Sequence, residues 1–424
     1  MATGTDIRYS VHFTPLTKLQ TYGTEIDVSD RVVISGVSSI KKSIDDTDYG
    51  IGVYTFGDIV IKASNYDGKF NEMDSRSIFT TTRDLTKVRV VFTDEDGDTL
   101  TFKGLINDEA TRFDVVKHIV SFKVLALDSV IRNSKVPAGT VSAGTTIKAA
   151  LNSILSQARI TSVLTVTESN INPDLNVVID VGTPFDNQPV KAAVNELLLV
   201  SNSAFFINSS DEVIVKSRAE DTTKDVVNLY GKSDIFGREN IIKLSKYNTG
   251  QHRMFTSIKV NDTEKSNTGF EIDFGTRQKE ISIDWVTTES KEVSIAERLV
   301  EEFKTPKIEL EVTLSTKIGK DIDLLDRVSV NYPLRLEPSS GNTFLPTYGV
   351  SKYGESDVTY PNVFGGVSID SNVAFKVIGI KHNPRKFETT LKLRQSGTET
   401  NDGVYSVEGS QLYGSGTYGT SLYV

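Results

Sequence analysis

A chain of 424 residues, 38% hydrophobic and 24% charged, is too long for one compact core and too balanced for a disordered or membrane-embedded protein, so two to four domains are expected. The absence of cysteine excludes disulfides, thiolate metal sites and a cysteine nucleophile. The net charge of −9 is spread along the chain and offers no basic stripe for nucleic acid.

Residues 1–20 lack a basic start followed by an apolar stretch. No secretory signal is therefore expected, and synthesis and folding in a cytoplasm are. No apolar run reaches the length of about 18 residues needed to span a bilayer as a helix. From residue 31 to 130 the pattern is β. Arg31-Val-Val-Ile, Thr55-Phe-Gly-Asp-Ile-Val-Ile, Lys87-Val-Arg-Val-Val-Phe and Ile119–Leu127 alternate apolar and polar residues. Their Val, Ile, Phe and Thr suit a pleated, half-buried surface. Asp96-Gly97 lies between two such windows and can take the positive φ values of a hairpin turn.

Ala143–Ala158 then sets Ile147, Ala150, Leu151, Ile154, Leu155 and Ala158 on one helical stripe, with Thr145 as its cap. Pro189 opens a second helix that carries Val190, Ala193, Val194, Leu197 and Leu198 on one side. Ala204–Ile207 and Glu212–Ser217 read as a hairpin. The region 131–238 is therefore expected to be a small α+β domain. From 239 to 395 the chain returns to β, with one helix, Ser290–Lys304, turning Val293, Ala296, Leu299, Val300 and Phe303 inward until Thr305-Pro306 stops it. Trp285, the single tryptophan, shares a strand face with Ile281 and Ile283 and reads as core. The basic run at 381–386 reads as a loop between strands.

Two segments stand apart in composition, the loop 337–372 and the tail 396–424. Their glycine content is too high for a packed core. An aromatic ring with a polar tip on such a backbone suits a contact surface. Tyr348, Tyr353, Tyr360, Phe364, Tyr413, Tyr418 and Tyr423 are the candidate partner-docking residues.

Chemistry is not concentrated anywhere. Asp94, Glu95, Asp96 and Asp98 surround a glycine but lack the spacing of a calcium loop, so a solvated hairpin is the reading. Asn65-Tyr-Asp-Gly68 reads as a turn. The four histidines, His12, His118, His252 and His382, are far apart. There is no G-x-S-x-G elbow, P-loop or H-E-x-x-H. No catalytic residue, metal or cofactor is expected. A distant carboxylate pair, as a hydrolase would use, is not legible in one sequence and keeps that alternative open.

The order of several segments resembles one family. Asp58-Ile-Val-Ile-Lys-Ala-Ser-Asn-Tyr-Asp-Gly-Lys-Phe70 is similar to the strand and N-x-D-G-x-F turn of phage minor tail and baseplate-hub proteins. Lys87–Phe92, Phe102-Lys-Gly-Leu-Ile106 and the strand Ile119–Asp128, which ends in an aspartate before a helix, follow in the family's order. So do Ala296-Glu-Arg-Leu299 to Pro306, Leu324-Leu-Asp-Arg-Val-Ser-Val330, Phe375–Ile380 and Thr389–Leu393. Leu325-Asp326 departs from the family, in which glycine-aspartate is commoner, and puts the turn there in doubt.

The resemblance spans roughly residues 30–395. It implies a mainly β protein in which two tail-tube-like β-barrel domains, 1–130 and 239–395, flank the α+β insert, followed by a docking segment at 396–424. It further implies a homotrimer with a pseudo-sixfold ring of barrels, sited in the virion at the tail tip or baseplate. That ring would leave a channel for genome passage. The implied partners are tail tube or distal tail ring proteins, a tape-measure protein, and fibre or spike proteins, with no membrane insertion and no sequence-specific nucleic acid. The alternatives are a receptor- or glycan-binding tail adhesin and a virion-associated cell-wall hydrolase.

Overall fold

A computed structural model describes residues 8–18, 21–33, 39–44, 55–79, 82–218, 224–231, 240–248, 253–331 and 374–396. The protein is mainly β, with two eight-stranded curled sheets and a helical unit between them.

The first sheet is built from β1 (Arg8–Lys18), β2 (Thr21–Tyr22), β3 (Ile26–Asp27) and β4 (Val32–Val33), then β7 (Ile59–Ser64), β8 (Thr82–Thr93), β9 (Thr99–Asp114) and β10 (Ile119–Ala126). Between them β5 (Ile40–Ser43) and β6 (Thr55–Phe56) leave for the second sheet. The order is β2-β1-β8-β9-β10-β7-β4, with β3 also on β1. Alternation is obeyed on β7, where Ile59, Ile61 and Ala63 are buried and Val60 and Lys62 are not. Two strands separate β1 from β10, yet Phe13 and Phe122 stack edge to face at 5.4 Å. The sheet must therefore curl around its aromatic core of Phe13, Phe70, Phe79 and Phe122. The short connection 28–31 carries the chain from β3, on the β1 edge, to β4, on the β7 edge. Val28 N donates to Val11 O at 2.9 Å and the Tyr9 hydroxyl to Val32 O at 3.0 Å, which ties that crossing down.

The expected single strand Thr55–Ile61 is broken at Gly57-Asp58, with β6 in one sheet and β7 in the other. Gly57 suits this close approach, since a Cβ would sit a tight 3.1 Å from Lys41 N, while Gly57 N itself donates to Lys41 O at 2.7 Å.

The middle unit begins with α1 (Ser129–Arg132), α2 (Ile147–Leu155), α3 (Ala158–Thr161), α4 (Val190–Val200), β11 (Ser203–Ile207) and β12 (Val213–Ser217). The stripes expected on both long helices are buried, but the cap of α2 is Thr146, whose hydroxyl accepts from Ala149 N at 3.2 Å, not Thr145. The run of five buried residues on β11 has a physical reason. Phe205 and Ile207 face the helices, and Ala204 and Phe206 on the other face enter the core of the second sheet.

The second sheet starts with β13 (Val227–Tyr230) and β14 (Ile241–Asn248). The chain then returns to the middle unit through β15 (Ser257–Val260), β16 (Thr263–Ser266), α5 (Thr268–Phe274), β17 (Gln278–Ile281) and α6 (Glu289–Phe303). Ile258, Val260, Ile283, Trp285, Ile295, Leu299 and Phe303 share one core with the helices of 147–200. Trp285 is buried as expected, but it lies past the end of β17 and donates to Glu196 Oε1 at 2.5 Å. On α6 the inward set includes Ile295 and Glu292, whereas Val293 is half-exposed. Glu292 is tolerated because Asn261 Nδ2 at 2.9 Å and Thr263 Oγ1 at 2.7 Å both donate to it.

The sheet resumes with β18 (Glu309–Ser315), a short α7 (Thr316–Gly319), β19 (Arg327–Asn331), β20 (Ala374–Asn383) and β21 (Glu388–Gln395). Its order is β13-β19-β20-β21-β18-β14, with β5 on β20 and β6 on β5. The edges meet here too, for Asn240 N donates to Tyr230 O at 3.1 Å. The Asn240 side chain adds two bonds, accepting from Tyr230 N at 2.6 Å and donating to Asn228 O at 3.0 Å.

Candidate assembly interface

The two sheets share one framework. Five strands taken in chain order, β4, β7, β8, β9 and β10, lie side by side as β4-β7-β10-β9-β8. Five in the second sheet, β14, β18, β19, β20 and β21, lie as β14-β18-β21-β20-β19, the same permutation. Every neighbouring pair is antiparallel in both. The match extends to single residues. Ser64 pairs with Ile119 as Ser315 pairs with Glu388. The next residue, Asn65 or Thr316, donates its N–H to the carbonyl of His118 or Phe387, at 2.7 and 2.9 Å. Both acceptor residues have φ of 51° and close the turns 115–118 and 384–387.

These equivalent ends meet different surroundings. In the second sheet Phe387 is 5% exposed and belongs to the core of the first sheet. Beside it α7 reaches the β8–β9 turn, where Lys320 Nζ lies 2.7 Å from Asp98 and Lys317 pairs with Asp96. The Lys320 hydrogen bond holds the Asp98 carboxyl below its usual range. Asp94 is buried in that turn and accepts from the backbone N–H of Asp96 and Asp98 at 3.0 and 2.8 Å. The acidic hairpin is thus taken up by turn bonds and by the junction, with only part of it solvated. The β5–β6 hairpin crosses the other way, pairing Ser43 with Gly379, with Lys42 Nζ 2.5 Å from Asp323. Gly319 allows α7 to lie on β21, since a Cβ would stand 2.5 Å from Thr389 Cβ.

In the first sheet the equivalent end carries exposed apolar side chains among the described residues. Tyr66 is 82% exposed, Met73 95%, Val115 80% and Val116 89%, with Phe113 at 41% beneath them. The turn below is rigid, because Asn65 Oδ1 accepts from Phe70 N at 2.9 Å and Asp67 pairs with Arg31 at 2.7 Å. Gly68 has φ +76° there, and a Cβ would stand 2.3 Å from Asp74 Oδ2. The Tyr66 ring lies edge-on to His118 at 5.2 Å. Exposed apolar side chains thus gather at this end beside a well-bonded turn, an arrangement expected of a contact surface.

Titratable groups elsewhere are engaged in structure. Between the middle unit and the second sheet, Lys376 Nζ donates to the Arg218 carbonyl at 2.6 Å and lies 3.4 Å from Glu302, which Lys307 approaches at 2.9 Å. Burial pulls the Lys376 amine down to about 8. Burial alone would raise Glu302, but Lys376, Lys307 and Arg218 outweigh it and hold the carboxyl well below its usual range. Glu309 is paired with Arg394 at 3.0 Å and Arg253 at 3.4 Å. Burial pushes the Asp128 carboxyl up to about 7, a value suited to a proton donor, but the residue is fully enclosed against Arg132. Among the described residues no group of three or more His, Asp or Glu is placed to hold a metal ion, and no helix is long and apolar enough to cross a membrane. The expected docking residues Tyr348, Tyr353, Tyr360, Phe364, Tyr413, Tyr418 and Tyr423 lie outside the described residues.

No family model and no curated protein matches the sequence. The fold, however, has relatives among solved structures. The tail protein from Neisseria meningitidis MC58 superposes with a TM-score of 0.54 at 14% identity, over 94% of this chain and 99% of that one. This is the fold of a tail protein. The Francisella PdpA-VgrG complex, in its lidded form, matches with a TM-score of 0.51 at 10% identity, over 94% of this chain and 54% of that chain. The tail-protein fold is the one that the order of strand motifs in the sequence resembles. The open apolar end of the first sheet was missed because Phe113, Val115 and Val116 read locally as one more strand-turn-strand.

Proposed function

We propose that this protein is a non-enzymatic structural component of a phage virion, the hub at the distal end of the tail. The observation that carries this reading is the repeated framework. One chain holds two copies of the same five-strand unit, fastened to each other by α7, Phe387 and the β5–β6 hairpin. Each curled sheet acts as a tail-tube-like barrel. Three chains then offer six such units, which match a sixfold tube on one side and threefold tip components on the other, with a channel between them for the genome. Repeated head-to-tail contacts form a ring where their rotation closes.

In this reading the hub joins tail tube or distal ring proteins and the tape-measure protein to fibre or spike proteins. The segments 337–372 and 396–424, with their tyrosines, dock those neighbours. The buried charge networks favour structure over chemistry, since the carboxylates in them are held by cations or enclosed. Native mass measurement and negative-stain imaging of the purified chain test the proposal. A trimer with a central opening is the expected result. A strict monomer that binds sugar, or that clears peptidoglycan, overturns it.

A further inference from the structure

We infer that α5, the short helix between β16 and β17, is a docking site for a protein segment that sets a lysine or arginine beside an aliphatic side chain. A helix of seven residues is too short to stand on its own hydrogen bonds, and such helices ordinarily persist because one face is buried. No residue of α5 is buried. It is fixed at its ends instead. Asn267 caps the start, its Oδ1 accepting from Phe270 N at 3.3 Å. Gly275, with φ of 74°, closes the finish, its N–H donating to Glu271 O at 2.9 Å. Behind both ends stands the fully buried Thr256. Its carbonyl accepts from Asn267 N at 2.8 Å, and its hydroxyl donates to Gly275 O at 3.2 Å and accepts from Arg277 N at 2.8 Å. One core residue thus clamps both ends of the excursion that carries α5.

Phe270 and Phe274 make the half-buried side of the helix, their rings stacked at 6.1 Å with planes 13° apart. Gly269, Ile272 and Asp273, at i, i+3 and i+4, make the outer side, where all three are exposed and Ile272 is 84% so. None of these three serves the chain's own fold. Ile272 buries nothing. Gly269 weakens a helix relative to alanine and leaves the backbone bare beside Ile272. Asp273 stands in the last turn, where the helix dipole disfavours a carboxylate, and no basic residue shares that turn. Neither Asp273 nor Glu271 is paired with a cation among the described residues. Each choice suits a partner instead. Asp273 and the carbonyl end of the helix form a negative pole that calls for a cation. Ile272 beside it calls for an aliphatic group, and Gly269 admits close approach. Because the clamp has already ordered the helix, docking costs little further ordering on this side.

The contact is argued from α5 and does not rest on the hub reading. The probe is an amphipathic peptide of lysine and leucine, with a glutamate-leucine peptide of the same pattern as its charge-reversed control, and binding to the full-length chain is read by fluorescence anisotropy. The lysine peptide is expected to bind and the glutamate peptide not to. A net charge of −9 attracts any cationic peptide weakly, so the variants decide. Ile272→Ser and Asp273→Lys should each weaken binding of the lysine peptide about fivefold or more, and Ile242→Ser, at the exposed isoleucine of β14, should leave it unchanged. All three positions are exposed, so the folded chain should keep its circular dichroism and melting temperature. A photo-crosslinking residue at position 272 should label the lysine peptide. Absence of binding, equal binding of the two peptides, or unchanged binding to Ile272→Ser and Asp273→Lys overturns the inference. If Ile272→Ser instead lowers the native mass of the oligomer, α5 joins copies of this chain, and the inference is wrong while the hub reading stands. If the unaltered chain is a monomer at every concentration yet binds the lysine peptide through α5, the hub reading falls and this one stands.

Discussion

The turns 115–118 and 384–387 hold the same place in two copies of one framework, yet only one of them is buried. The second copy presents Phe387 to a neighbour within its own chain; the first presents Val115 and Val116 to solvent. The difference does not lie in the order of the strands, which agrees, or in their register beside the two turns, which agrees as well. It lies in what the connections have been lengthened to do. Between β4 and β7 the first copy sends out the β5–β6 hairpin, which pairs with β20. Between β14 and β18 the second copy sends out β15 to α6, which completes the helical unit. The framework thus stays constant, while excursions at one point of it fasten the two copies together.

Breaking the buried turn gives the largest expected effect. Phe387→Ala should cost about 3–5 kcal/mol, as removal of a large core side chain does, because it empties part of the first sheet's core and loosens the junction at once. Val116→Ala, at the equivalent open turn, should stay within about 0.5 kcal/mol for the isolated chain. Denaturant unfolding of both variants measures the contrast. Equal losses would mean that the two ends are not differently engaged.

The same hairpin carries a pH dependence. Burial pulls the His382 imidazole down to about 4, and His382 Nδ1 is 2.8 Å from Thr389 Oγ1. The folded pKa lies below the unfolded one, so the neutral ring's contribution is present above the ordinary histidine range and is lost as pH falls towards 4. The loss is up to about 3 kcal/mol from the size of the shift. His382→Asn should flatten the melting profile over that window. The first copy has no counterpart buried in its equivalent strand, so an unchanged profile would remove this distinction between the copies.

A smaller effect should follow at the closure of the second sheet. Asn240→Ala removes one acceptor and one donor that tie β14 to β13. About 1 kcal/mol is expected, the net worth of such bonds at a half-exposed site. Hydrogen exchange should quicken at Tyr230 and remain slow on β8–β10, where closure uses the backbone of 26–33 instead.

Much of this was legible in the residues. Alternation identified β7, β18 and β21, because a strand with one buried face must obey period two whatever its partners. The stripes of α2 and α4 were legible for the same local reason. What was not legible is partnership. Nothing near Thr55-Phe56 says that it pairs with Ser43 and Lys42 in the other sheet, and nothing in Ser257–Val260 says that its core is helical. Leu325 was marked as the residue standing where glycine is commoner, and the structure gives the compensation. Its φ is +67°, at a strain of about 1–2 kcal/mol, but the side chain is fully buried in the second core, which returns about 1.5–3 kcal/mol.

The ion pairs at the junction should matter least, and they sharpen the comparison for that reason. Lys317 and Lys320 reach Asp96 and Asp98 across the seam that Phe387 fills. All four groups are well hydrated, so attraction between them is largely screened. Lys317→Ala with Lys320→Ala should lower the melting temperature slightly at low salt and not at all at high salt. Because the Lys320 hydrogen bond lowers the Asp98 pKa, the low-salt effect should be present above the usual carboxylate range and vanish as pH falls through the lowered value. If the double variant instead lost as much stability as Phe387→Ala, and kept that loss in high salt, the seam would be held by the lysine stems packing along it. The apolar turn would then no longer be the feature that distinguishes the closed end from the open one.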